Sequence, residues 1–219
     1  MNYAALSAAI QAYTENTEAD FVANIPVFVT QAEQRIFNSV QFPSLRQNVT
    51  GATTTNNKYL QCPTDFLAVY SLAIIKANGE YEYLLNKDVN FIRQAYPQPT
   101  DTGIPRYYAL FGPRSDNAAE LTFILGPTPD AAYGAELHYF FYPPSISVAP
   151  FTSWLGDNFD TVLLYGSLVE AYTYMKGEQD MMALYNGKYQ EALALAKRLG
   201  DGMERQDAYR SGQYRQAVT

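Results

Sequence analysis

The chain has 219 residues, enough for one large domain or two small ones, and 47% of them are hydrophobic, which supplies a sizeable core. Its formal net charge is −7 and its 15 Lys and Arg are scattered, so it lacks the basic cluster that grips nucleic-acid phosphates. A single cysteine, Cys62, excludes an intrachain disulfide and reads as a small buried hydrophobe. The opening "MNYAALSAAIQAYTENTEAD" has no basic start with an apolar run behind it, and no window reaches the ~18 apolar residues of a membrane span. A soluble protein made in a reducing cytoplasm is expected. The 19 Tyr and 12 Phe point toward contact surfaces, because a tyrosine joins an apolar ring to a polar tip.

Residues 3–15 predict a short Ala-rich helix. Phe21, Ile25, Phe28, Val29, Ala32 and Ile36 then recur at helical spacing, with Glu33, Gln34 and Asn38 expected to face away. Pro26 suits a first turn after Asn24 as N-cap, so this helix is expected over 25–40, stopping before Pro43. From about Arg46 to Ser147, Thr, Val and Tyr become frequent and turn dipeptides break the chain every ten residues or so. "AIIKANGEYEYLL" is a hairpin around Asn78-Gly79. A short helix over 88–95 follows, then "RYYALFG", "AELTFILGP" and "GAELHYFFYPP" as strands joined by "PRSDN" and "TPDAAY". Their imperfect alternation predicts strands covered on both faces in places.

Helix returns in "SWLGDNFDTVLLYGSLVEAYTYM", with Asp157 as the expected cap and Phe159, Val162, Leu163, Gly166, Val169 and Thr173 on one face. The last strong helix is expected over 181–199. It places Met182, Tyr185, Tyr189, Ala192, Ala196 and Leu199 at heptad spacing and ends at Gly200 and Gly202. The predicted fold class is therefore α+β. A discontinuous bundle of N-terminal helices (1–42) and C-terminal helices (152–199) flanks an inserted β-rich domain (43–151), and a C-terminal tail (200–219) extends beyond. The helices at 25–40, 159–175 and 181–199 are expected to pack in one bundle.

Candidate chemistry is sparse. His138, the only histidine, lies in a strand-like run of aromatics, and no ligand pair at helical spacing includes it. Ser167 in "YGSLVE" lacks the Gly-x-Ser-x-Gly elbow of a serine nucleophile and reads as a small contact residue beside Gly166. The acid pairs Asp157/Asp160, Glu80/Glu82 and Asp201/Glu204 fall at a helix start, a hairpin turn and a helix end, where caps and solvated turns explain them. No Gly-rich nucleotide loop or calcium loop is present. No enzymatic activity, cofactor or metal is expected.

Several stretches in this order form a pattern: "FVANIPVFVTQAEQRIFNSV", "LQCPTDFLAVYSL", "GIPRYYALFG", "LTFILGPTPDAAYGAELHYFFYPPSIS" and "WLGDNFDTVLLYGSLVEAYTYMKGEQDMMALYNGKYQEAL". Over about residues 20–199 the chain resembles the head-to-tail adaptor (connector) proteins of short-tailed phages. The resemblance implies a virion structural protein at the head-tail interface, assembled in the host cytoplasm as a twelve-subunit ring, a dodecamer, beneath the portal protein. Such a ring extends the DNA channel, lets genomic DNA pass without specific binding, and carries the tail nozzle and tail fibre proteins. It implies no catalytic residues and no membrane. C-terminal segments in this family fasten onto the portal. Tyr209, Arg210, Tyr214 and Arg215 are residue types favoured where partners meet, and they are the candidate portal or subunit interface. Gly200, Gly202 and Gly212 weaken helix there, so this tail is expected to be loose until bound. Another tail or baseplate component, or a non-catalytic ligand-binding α+β domain, is the alternative reading.

Overall fold

A computed structural model describes residues 1–112 and 121–217, the last seventeen of these by backbone alone. The chain runs through α1 (Tyr3–Thr14), α2 (Ala19–Ser39), a 3-10 turn (Pro43–Leu45), β1 (Arg46–Ala52), β2 (Tyr59–Gln61), β3 (Ala68–Ile75), β4 (Tyr81–Tyr83) and β5 (Leu85–Asn86). It continues through α3 (Val89–Ala95), β6 (Tyr107–Phe111), β7 (Thr122–Gly126), β8 (Gly134–Phe140), α4 (Trp154–Asn158), α5 (Asp160–Met175) and α6 (Gln179–Ala217). The architecture is α+β, as expected. Two compact units are present: a helical one from Met1–Leu45 with Tyr142–Thr219, and a β-rich one from Arg46–Phe141.

In the helical unit α5 lies at the centre, in contact with α1, α2, α4 and α6. Val162, Leu163, Leu164, Leu168 and Ala171 are all buried, so the helix is covered nearly all round. The three helices expected to bundle meet at Gly166. A Cβ there would stand 3.2 Å from the Ala32 Cβ of α2 and 3.2 Å from the Tyr189 ring of α6. The absence of that atom lets the axes approach.

Several local expectations are corrected. Helix α2 begins at Ala19, not near Ile25, and carries Pro26 within it. Burial of Phe21 and Ile25 outweighs the single hydrogen bond that proline forfeits. Glu33 is buried rather than facing away, and it accepts the Ile146 amide at 3.0 Å. The predicted helix over "SWLGDNFDTVLLYG…" breaks at Phe159 into α4 and α5; Ser153, not Asp157, caps the start, accepting from the Gly156 amide at 3.1 Å. Helix α6 runs through Gly200 and Gly202 to Ala217, since two glycines costing about 1 kcal/mol each do not halt a helix flanked by good formers. Its buried stripe is Tyr185, Tyr189, Leu193, Ala196 and Gly200, leaving Leu199 47% exposed.

Residues 142–151 also belong with the helices. Ile146 is fully buried, and Phe151 accepts the Tyr3 amide at 3.0 Å.

The β-rich unit holds two four-stranded sheets, ordered β1-β8-β3-β4 and β2-β7-β6-β5, antiparallel except for the β5/β6 pair. The β3–β4 hairpin turns at Asn78-Gly79 as predicted, with Gly79 at φ +82°. Leu72 and Ile74 of β3, Leu137 and Tyr139 of β8, and Phe123 and Leu125 of β7 share one core. The adjacent tyrosines divide between the faces of their sheet. Tyr108 packs edge-on to Phe123 at 5.6 Å inside, and Tyr107 lies 5.4 Å from Phe91 of α3 on the other side. Helix α3 thereby covers β7, which is buried along its whole length. "PRSDN" lies outside the described residues.

Candidate interaction surfaces

The groups able to do chemistry are dispersed and occupied. The His138 Nδ1 stands 3.3 Å from the Ser71 Oγ on the neighbouring strand. Burial pushes the Cys62 thiol up to about 12, so it is not a thiolate at neutral pH. Glu82 binds Lys76 at 2.9 Å and Arg106 at 3.6 Å, and Glu80 binds Lys76 at 3.4 Å. The Asn78 amide and then Lys76 hold the Glu80 carboxyl below its usual range. Asp157 lies 3.8 Å from the Met1 amine, Asp160 is in the first turn of α5, and the Ser167 hydroxyl donates to the Leu163 carbonyl at 2.8 Å. The side chains of Asp201 and Glu204 lie outside the described residues. Among the described residues, no three or more His, Cys, Asp or Glu are grouped to hold a metal ion, and no helix is long and apolar enough to cross a membrane.

What the unit surfaces do offer is apolar area. Tyr70, Tyr81, Tyr83 and Phe111 are exposed on the β-rich unit, and Tyr13 and Tyr174 on the helical one. A groove of about 470 Å³ lies between the start of α5 and α6, walled by Phe159, Val162, Tyr165 and Leu195. Asp160, Lys188 and Glu191 also line it. In the β-rich unit a cleft of about 360 Å³ beside β1 and β2 is lined by Val49, Leu60, Cys62 and Leu137. Tyr209, Arg210, Tyr214 and Arg215 fall on the stretch of α6 described by backbone alone, so their side chains lie outside the described residues.

Inside the helical unit, sequence reasoning missed a polar lock. Besides the Ile146 amide bond to Glu33, Thr30 donates to the Ser145 hydroxyl at 3.3 Å, and Ser145 and Ser147 share a hydrogen bond at 2.9 Å. The signal was available, because Val29, Glu33 and Ile36 form one stripe of α2 at i, i+4 and i+7. A carboxylate in such a stripe must be satisfied inside.

The family model of the SU10 adaptor protein matches residues 1–216. The chain belongs to the SU10 adaptor protein family. It is therefore a phage adaptor, a component of the virion that interacts with other phage proteins, in line with the resemblance read over 20–199. The match takes in both units and most of the stretch beyond Gly200. A search of curated proteins finds no match. SU10 adaptors belong to a structural class that is generally non-catalytic, and exposed aromatic surfaces suit such a role.

Proposed function

We propose that this adaptor assembles as a twelve-subunit ring beneath the portal protein, extends the DNA channel, and presents the platform on which the tail nozzle and fibres dock. The observation that carries this reading is the family match along residues 1–216. The exposed tyrosines support it, since a ring needs two different complementary surfaces on each copy, and rigid aromatic rings supply contact area at low entropic cost. The tail from residue 200 fastens onto the portal or a neighbouring copy through Tyr209, Arg210, Tyr214 and Arg215. A net charge of −7 per copy, repeated around the axis, gives a negative lumen past which genomic DNA slides without specific binding. Assembly takes place in the host cytoplasm and calls on no cofactor and no membrane.

Native mass spectrometry of the chain alone and mixed with the portal protein of the same virion tests the reading. The expected product of the mixture is a portal carrying twelve copies. A chain that stays monomeric beside an intact portal overturns the ring, and tight retention of duplex DNA by the assembled ring at physiological salt overturns the negative lumen.

A further inference from the structure

The sheet ordered β1-β8-β3-β4 ends in two unlike edges. Strand β1 is seven residues long, and among the described residues nothing pairs with its far side. Positions 47–52 are all exposed. They include no Pro, no Lys and no charge, the devices that normally keep an edge from recruiting another strand.

The hydrogen-bond alternation of antiparallel ladders identifies the unused groups. The Thr53 amide donates to the Tyr133 carbonyl at 2.9 Å, so Gln47, Val49 and Gly51 turn toward β8, while Asn48 and Thr50 turn their N–H and C=O outward. At the opposite edge Leu84 donates to Leu72 and Lys76 to Glu80, both at 2.9 Å. Glu82 therefore turns toward β3, and Tyr81 and Tyr83 turn outward.

Two further properties of these edges agree. Asn48 and Thr50 pair with His138 and Glu136, out of phase with the core-facing Leu137 and Ala135, so their side chains lie on the outer face. Tyr81 and Tyr83 pair with Ile75 and Ala73, out of phase with the core-facing Leu72 and Ile74, and share that face. Three successive antiparallel steps also make β4 run opposite to β1. A second copy can thus add β4 to β1 with its free groups, face and direction all matched.

We propose that in the ring, on which this contact rests, β4 of one copy pairs antiparallel with β1 of the next. Asn48 lies opposite Tyr83 of the partner subunit, and Thr50 opposite Tyr81 of the partner subunit. The contact is heterologous, strand added to edge, and repeats head to tail until the ring closes. Its area explains when it forms. Tyr81 and Tyr83 are 48% and 65% exposed, and burying both rings supplies at most about 300–500 Å². A stable interface takes roughly 800 Å² per partner. The strand contact alone does not hold two free copies, and it closes when the portal sets copies side by side at high effective concentration.

Directly opposed residues in such a pair have Cα atoms about 5.5 Å apart, within the disulfide range of about 4.4–6.8 Å. The test uses a chain carrying both Thr50→Cys and Tyr81→Cys, assembled on the portal, oxidised and denatured; the buried Cys62 stays out of the reaction. A ladder of covalent multimers is expected from the double variant and none from either single variant. Thr50→Pro removes an N–H that the free chain does not use, so its melting temperature should hold while its ring yield falls at least tenfold. Where the wild type forms rings, a double variant that gives no ladder, a lone dimer from Thr50→Cys, or Thr50→Pro rings at full yield each overturn this contact and leave the ring standing. If Thr50→Pro melts early, the cross-link decides. Failure of the wild type to form rings overturns the ring reading, and this contact with it.

Discussion

Glu33, in the middle of α2 and only 2% exposed, accepts the backbone amide of Ile146 at 3.0 Å. Burial pushes its carboxyl above the ordinary range, opposed by that hydrogen bond and one from Ser145. The folded state therefore holds this proton more tightly than the unfolded chain does. The stabilisation is fully present below the unfolded pKa and is lost as pH rises through the raised folded value. Glu33→Gln keeps the acceptor and removes the buried charge, so it should melt at or above wild type at pH 7, with the advantage shrinking as pH falls through the acid range. Glu33→Ala strands the Ile146 amide and should cost about 1–3 kcal/mol. Thermal melts between pH 4 and pH 7 read both effects, and a Gln variant melting well below wild type at pH 7 contradicts the account.

Phe28 is buried between Phe21 and Tyr174, with ring centroids 5.7 and 5.1 Å away. Phe28→Ala should cost roughly 3–5 kcal/mol, measured as a lower midpoint in denaturant at unchanged slope.

At Gly166 even a methyl group stands 3.2 Å from two neighbours. Gly166→Ala gains up to about 1 kcal/mol of helix propensity against that crowding and should come out near neutral. Gly166→Leu overpacks the three-helix junction and should cost about 1–3 kcal/mol. Equal melting of the two variants would show the junction to be looser than these distances allow.

The Tyr189 ring is buried at the same junction, and among the described residues its hydroxyl has no hydrogen-bond partner. The Arg35 guanidinium, ion-paired to Glu170, stands 6.0 Å from the ring centroid. Tyr189→Phe removes an unsatisfied group without changing the packed shape, so it should stabilise the helical unit by about 1 kcal/mol. A lower melting temperature would point to a water bound at that oxygen.

Deletion of 203–219 should leave the melting of the free chain nearly unchanged and weaken its capture by the portal at least tenfold. Replacing Tyr209, Arg210, Tyr214 and Arg215 together by Ala should reproduce most of that loss. Undiminished capture of the truncated chain in a pull-down shows the tail to be a bystander.

Local signals read correctly where one short stretch carried the whole instruction. Asn78-Gly79 placed the hairpin, and the spacing of Val162, Leu163 and Gly166 placed the central helix. Elements failed where a distant contact decided the outcome. The start of α2 depended on what buries Phe21, which outweighed the local meaning of Pro26. Glu33 could be placed only with Ile146, more than a hundred residues away. Strand partners had the same difficulty, since Arg46 pairs with Phe140 and nothing near either residue names the other. Residue types such as exposed tyrosines suggest that a surface meets a partner, but the unused N–H groups of Thr50 and Tyr81 emerge only once the ladders are known.

The central position of α5 also bears on synthesis. Helices α1 and α2 leave the ribosome early, yet the helix they pack against follows the whole of Arg46–Phe141. At about 5–20 residues per second, their apolar faces wait on the order of ten seconds for a partner. The β-rich unit is contiguous and can fold during that interval. Nascent chains stalled with residues up to about 153 outside the ribosome should therefore carry a folded middle and a protease-sensitive beginning, and during that pause α1 and α2 are the segments most open to a chaperone.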